Sequence, residues 1–220
     1  MENRGPLERT PRTTLHRIPD RGSYDRDLAY SILDEGLYAS VGIAVEGQPF
    51  VIPMVYGRMG DRLILHGAAA SRLLKAGAKS TPICVTVTLV DGLVFARSGF
   101  HHSMNYRSVM VLGEATEITD TEEKLRALDV IVDHAVPGRS KETRPPNRKE
   151  LVATRVLALS IVEASVKMRT GGPKDDDEDL ELEYWAGHVP LRLVASEPIS
   201  DAAHPPRAPM PEAVASYRRR

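Results

Sequence analysis

Between Leu37 and Gly67 the chain writes three strand-like runs in quick succession, "LYASVGIAVEG", "QPFVIPMVYGRMG" and "DRLILHG", with Gly, Pro or Asp at each junction. "EGQP" and "MGD" have the composition of hairpin turns. Further on, "TPICVTVTLVDG" reads as a fully buried, β-branched strand ended by Asp91-Gly92. From Val109 onward, "NYRSVMVLGEATEI" is a strand that is apolar on both faces and then alternates. "TRVLALSIVEASVKMR" reads as one long strand, small or apolar at its even positions from Val156 to Met168, with odd positions turning charged beyond Ile161. Six or seven strands, mostly joined by hairpins and without a βαβ rhythm, predict a mainly β antiparallel barrel with peripheral helices.

Three helices punctuate this pattern. "SYDRDLAYSILDEG" has Ser23 as its expected N-cap, Asp25 and Asp27 in its first turn and Gly36 at its end, with Leu28, Ala29, Ile32 and Leu33 as its apolar stripe. "ASRLLKAG" is a brief helix closed by Gly77. "DTEEKLRALDVIVDHAVPG" opens on a capping-box pair, Asp120 and Glu123, shows Leu125, Leu128 and Val132 on one face, and stops at Pro137-Gly138. Residues 1–21, rich in Arg, Pro and Thr, read as a flexible or loosely docked lead-in, and the Pro-rich residues 198–220 as a disordered tail. The folded domain expected between them spans residues 22–197.

Several classes of function drop out. A net charge of -1 gives no global field for nucleic acid or an anionic membrane. No apolar run approaches the roughly 20 residues of a bilayer span, and the N-terminus lacks the apolar stretch of a secretory signal. A cytoplasmic protein is expected. The single cysteine, Cys84, forbids an intrachain disulfide and reads as a small buried hydrophobe. No nucleophile elbow, P-loop, GxGxxG or CxxC is present. His101-His102 read as loop residues and the acidic run "KDDDEDLELE" as solvated surface, so no metal site is expected.

One segment points to a bound anion. In "LILHGAAASRLLKAG", Ser71 and Arg72 open a short helix directly after a strand, where free N–H groups, a hydroxyl and a forked cation suit a phosphate. The alternative is a plain cap and a solvated arginine. Arg107 and Ser108 stand immediately before a core strand, where polar groups are costly without a partner, so either they lie at an open rim in water or something polar waits there for them.

The ordered set "FVIPMVYGRMGDRLILHGAAASRLLKAG", "NYRSVMVLGEA" and "YWAGHVPLR", spread over about residues 22–195, resembles the pyridoxamine 5′-phosphate oxidase-like flavin-binding proteins, in the branch that includes the nitroimidazole-resistance proteins. The resemblance implies a six-stranded split β-barrel, a homodimer, and FMN in a cleft at the subunit interface. Residue by residue, it implies that Val51, Ile52, Pro53, Met54 and Val55 lie along the flavin ring, with His66 near it. Ser71 and Arg72 then approach the phosphate, and Arg107, Ser108 and Val109 begin a strand that meets the cofactor. Trp185 reaches the flavin from the partner subunit. Leu73 stands where true pyridoxamine phosphate oxidases have a lysine, and "HVPLRL" replaces their Arg-Leu-His triplet, so the vitamin B6 phosphate site is not expected. The implied function is that of an FMN-dependent oxidoreductase of unspecified substrate. The alternatives are a flavin-binding module without turnover, or a split barrel that binds deazaflavin or haem.

Overall fold

The "EGQP" turn forms as its residues require: Glu46 and Gly47 both sit at positive φ, 52° and 79°, the combination that a two-residue type I′ hairpin needs. It joins β2 (Ala39–Val45) to β3 (Gln48–Met54). The computed structural model describes residues 5–79 and 81–218. Its other elements are β1 (Gly22–Ser23), α1 (Arg26–Glu35), β4 (Tyr56–Met59), β5 (Arg62–Ala68), α2 (Arg72–Gly77), β6 (Pro82–Phe95) and β7 (Ser103–Glu114). They are followed by β8 (Thr116–Glu117), α3 (Thr121–Ala135), α4 (Arg148–Ala153), β9 (Thr154–Ser160), β10 (Glu163–Arg169), β11 (Gly187–Pro190) and α5 (Glu212–Ala215).

The fold is mainly β with peripheral helices, the antiparallel split barrel expected. One sheet runs β1-β10-β7-β6-β2-β3, with β11 added on β6, and the other runs β4-β5-β9-β8. All pairings are antiparallel. Two runs that read as single strands are each divided between the sheets. Val55 separates β3 from β4, and Ile161-Val162 separate β9 from β10. The second break is held by polar contacts. Ile161 is buried and its N–H donates to the Asp61 carbonyl at 2.8 Å, while its own carbonyl accepts from the buried Arg26 at 3.2 Å. A continuous strand cannot give its backbone groups to two such partners.

The main core lies between the sheets, with Val41, Leu63, Leu65, Val85, Val111 and Leu157 among its fully buried side chains. Ala29, Ile32 and Leu33 of α1 close it, and the N-cap of that helix is Asp25, which accepts from Leu28 N–H, not Ser23. A second, smaller core packs α3 against the four-stranded sheet through Ile64, Ala127, Ile131 and Val156. The face of α3 that is buried therefore centres on Ala127 and Ile131; Val132 is exposed. β9 is buried on both sides because each of its faces meets one of the two cores. β6 alternates in burial and runs past Asp91-Gly92 to Phe95, with a bulge between Val90 and Gly92. Cys84 is half-buried, its position in β6 alternating with the core residues Ile83 and Val85.

The described part of the lead-in packs along the barrel. Leu7 is buried, its N–H donates to the Tyr24 carbonyl at 2.8 Å, and Thr10 and Arg12 both bond Glu163. An apolar anchor and a carboxylate on β10 account for docking that composition alone does not reveal. The tail carries α5, and its Ala213 N–H donates to Glu142 Oε1 at 3.1 Å. No helix among the described residues is long and apolar enough to cross a membrane.

Candidate functional site

β3 ends the larger sheet and is exposed along most of its length, with Val51 69% and Ile52 37% accessible. Long, apolar edge strands are a liability unless something covers them. Val51 pairs with Gly42 and Pro53 with Ser40; continuing across the sheet, Ser40 faces Thr86 and Thr86 faces Met110. The small side chains of Gly42, Ser40 and Thr86 keep the outer face next to β3 low enough for a flat molecule to lie against it.

At one end of this face, residues 44–46 and α2 enclose a groove of about 490 Å³ that Arg72, Lys75, Lys79 and Thr81 line. Among the described residues these three cations form no ion pair. Arg72 is aimed by its guanidinium, which lies over the Phe50 ring at 4.6 Å. Ser71 occupies the N-cap position of α2 without a side-chain cap bond, so its hydroxyl is not spent on the helix. β3, Ser71 and Arg72 thus come together. Lys75 and Lys79 complete the groove without belonging to any motif; the signal in the sequence was the close spacing of Arg72, Lys75 and Lys79, which puts two cations on α2 and a third just past its end.

Arg107 and Ser108 lie farther along the sheet and separate in role. Arg107 is held by two carboxylates, Glu35 at 2.5 and 2.8 Å and Asp91 at 2.7 and 3.0 Å. These hydrogen bonds, Asp91's first, raise its pKa further above the usual arginine range. Four charge-assisted bonds consume most of the fork, so the cation ties α1 to the bulge in β6. Ser108 bonds Thr88 across the strands at 3.0 Å. A pocket of about 690 Å³ opens beside Thr88 and Arg107, roofed by residues 190–194. The Val109 side chain is fully buried in the main core, so only its backbone faces this region.

His66 belongs to a different face. On β5 it pairs with Val156, one step along from Ile64, and so continues the surface that α3 covers. It opens into a cleft of about 590 Å³ between α3 and residues 140–146. Its Nδ1 is buried with no hydrogen-bond partner, and burial lowers its pKa below the ordinary histidine value. The two sheets and the main core stand between His66 and the outer face of the larger sheet.

Trp185 is 70% exposed and packs near Phe95, ring centres 6.1 Å apart. Phe95 is seven residues along β6 from Thr88, roughly 23 Å at about 3.3 Å per residue. Within one chain, therefore, Trp185 does not meet Ser108.

The family model for pyridoxamine 5′-phosphate oxidase matches residues 25–168. Among solved structures, the flavocytochrome Anf3 from Azotobacter vinelandii is 43% identical with a TM-score of 0.88, over 93% of this chain and 95% of that one. The FAD and heme binding protein from Mycobacterium smegmatis is 38% identical with a TM-score of 0.83, over 88% and 95%. A putative 5-nitroimidazole antibiotic resistance protein from Bacteroides thetaiotaomicron is 27% identical with a TM-score of 0.55, over 66% and 85%. No curated protein matches the chain. The chain belongs to the pyridoxamine 5′-phosphate oxidase family.

Proposed function

From this family membership we propose that the chain is a homodimeric flavin-binding redox protein, an FMN-dependent oxidoreductase. The observation that carries the reading is the groove lined by three cations, Arg72, Lys75 and Lys79, that form no ion pair among the described residues, beside the exposed edge strand β3. In it, Arg72, Lys75, Lys79 and the Ser71 hydroxyl hold the phosphate. Val51 and Pro53 with the small residues of β2 and β6 support the ring, and the Thr88–Ser108 hydroxyl pair offers hydrogen bonds at its far end. Flavin, when bound, supplies the electron and hydride chemistry, while the protein supplies position and excludes water. A second copy covers β3 and brings its own Trp185 to the site. Residues 22–197 form the working domain.

The reading includes haem as a second group. Its support is the flavin and haem named for the two relatives of 43% and 38% identity, together with a half-buried imidazole in a cleft of mixed polar and apolar lining. The donor set fits: a neutral imidazole is the usual nitrogen ligand to haem iron.

The test is an absorption spectrum of freshly purified protein, followed by acid release and chromatography of the flavin. FMN is expected in stoichiometric amount; FAD instead would keep the flavin reading and move the second phosphate to Lys79. A colourless protein that takes up neither FMN nor FAD would overturn it.

A further inference from the structure

We infer that His101, Asp176 and Asp179 form a binding site for a divalent transition-metal ion of the zinc class, one that fastens the segment leading to Trp185. The inference stands apart from the flavin and haem reading. One donor atom from each of the three side chains lies within 4.8 Å of the other two, and His101 Nε2 is 3.1 Å from Asp176 Oδ2. Around a zinc ion with bonds of about 2.0–2.2 Å, neighbouring donors stand about 3–4 Å apart, so a small turn of the acidic side chains closes the set. An imidazole with two carboxylates is a mixed nitrogen and oxygen set. It suits zinc and its first-row neighbours above calcium or magnesium, whose partners are oxygens. Three protein ligands leave a position for water.

The donors come from two loops, 75 residues apart between His101 and Asp176, that groups outside the donor set hold together. His101 ends a 3₁₀ turn, Gly99–His101, whose N-cap Ser98 accepts from Phe100 N–H. The neighbouring His102 is spent on the Ser98 carbonyl at 3.1 Å. Asp176 caps a second 3₁₀ turn, Asp177–Asp179, and its carbonyl accepts from Asp179 N–H at 2.9 Å. Side chains three apart eclipse in such a turn, which brings both acids to one side. Just before them, the buried Asp175 carboxylate accepts from Arg97 N–H at 2.8 Å and from Arg97 Nη1 at 3.0 Å. At the start of the same loop, the buried Asn105 and Arg169 hold the carbonyls of Gly171 and Gly172. A frame set in this way spares an incoming ion much of the cost of ordering its ligands.

Local charge calls for a cation. Residues 175–179 are consecutive acids. Arg97 answers Asp175, whereas Asp177, Glu178 and Asp179 make no ion pair among the described residues. A dication offsets the repulsion between Asp176 and Asp179, as an opposite charge within a few ångströms does for any carboxylate. The consequence reaches the tryptophan. Trp185 follows Asp179 closely in the chain, and its ring lies against Gly187, where a Cβ would meet it at 2.8 Å. It also packs near Phe95, and Phe95 meets His102 edge-on with ring centres 5.7 Å apart. An ion bound to His101 and Asp179 therefore steadies both the wall on which Trp185 rests and the loop that delivers it.

The experiment uses full-length protein without an affinity tag, stripped with a chelator and titrated with Zn²⁺ by calorimetry. The emission of Trp185, the single tryptophan, is followed in parallel. One ion per chain is expected, with a shift in emission that Mg²⁺ and Ca²⁺ do not reproduce. His101→Gln and Asp179→Asn should each weaken Zn²⁺ binding by at least about 10-fold, the least that a change one shell further out costs. Asp177→Asn, outside the donor set, should bind as the wild type does. Stripped variants should melt with the stripped wild type, which keeps loss of binding apart from loss of fold. A wild type that binds no Zn²⁺, or binding that neither variant weakens, would overturn the site. An equal response to Ca²⁺ would overturn the zinc class, and binding that leaves the emission unmoved would overturn the hold on Trp185.

Discussion

Arg107 on β7 reaches across to Asp91, the unpaired residue at the bulge of β6, Nη2 to Oδ1 at 2.7 Å and Nε to Oδ2 at 3.0 Å, so a forked cation grips the bulge. Glu35 grips the same guanidinium from the end of α1. Removing the cation leaves two carboxylates side by side. Arg107→Ala is expected to cost about 1.5–3 kcal/mol in chemical denaturation, the range of a hydrogen bond to a charged group. Arg107→Lys should recover little of it, since an ammonium cannot bond two carboxylates in a fork. A loss within about 0.5 kcal/mol of zero, as for ordinary surface changes, would mean the bulge holds itself.

Arg72 makes the opposite prediction, on binding and not on stability. It has no carboxylate partner among the described residues and lines an open groove. Arg72→Ala should weaken FMN by about 10- to 150-fold, the equivalent of one charge-assisted bond, and leave riboflavin nearly unchanged. Added salt should weaken FMN binding to the wild type more than to the variant. Fluorescence quenching measures both ligands; equal loss of the two would make Arg72 structural.

Val51 tests the covered edge. Lysine on an edge strand opposes pairing with another chain, and Val51 is exposed in the isolated protomer, so Val51→Lys should leave folding intact. Sedimentation is expected to give a dimer for the wild type and a monomer with reduced flavin content for the variant. A dimeric variant would place the interface elsewhere.

The lead-in carries a stability prediction with a pH signature. Leu7 is buried, worth about 1.5–3 kcal/mol, so deleting residues 1–15 should lower Tm by about 3–10 °C in a chain of this size. Glu163 has its pKa lowered by the hydrogen bond from Arg12, then by that from Thr10. Its contribution is present in full above the ordinary glutamate value of about 4.3 and is lost as pH falls through the lowered folded value. The gap in Tm between full-length and truncated protein should therefore narrow below about pH 4.

Gly57 probes how closely α3 sits on β4. A Cβ there meets Val130 Cγ1 at 2.8 Å and the Val130 carbonyl at 3.0 Å. Gly57→Ala must lift the helix and should cost about 1–3 kcal/mol, as overpacking does. Since α3 walls the His66 cleft, the variant's affinity for hemin should fall as well. Unchanged melting would show that α3 floats.

Local signals gave most of the elements away. Glu46-Gly47 announced its turn, Asp120 its helix, and the alternation in β2 its inward face, because each depends on neighbours in sequence. The sheet changes at Val55 and Ile161 were hidden: each run reads as one strand, and at Ile161 the partners that take its backbone groups, Asp61 and Arg26, are remote in sequence. The site divided the same way. Arg72 and Ser71 were legible as a strand-to-helix junction. The fate of Arg107 depended on Glu35 and Asp91, 72 and 16 residues away, and the face on which His66 lies depended on where α3 came to rest.

The two faces singled out here look in opposite directions. Between the outer surface of the larger sheet and the α3 side of the smaller one lie both sheets and a core of Leu63, Leu65, Val85 and Val111, with stacked sheets about 10 Å apart. To an electron, that core is an insulating layer, and transfer falls steeply with distance. A protomer carrying a redox group on each face would hold the two at least that layer apart, so any shorter path across to a neighbouring copy would make wiring a property of the assembly.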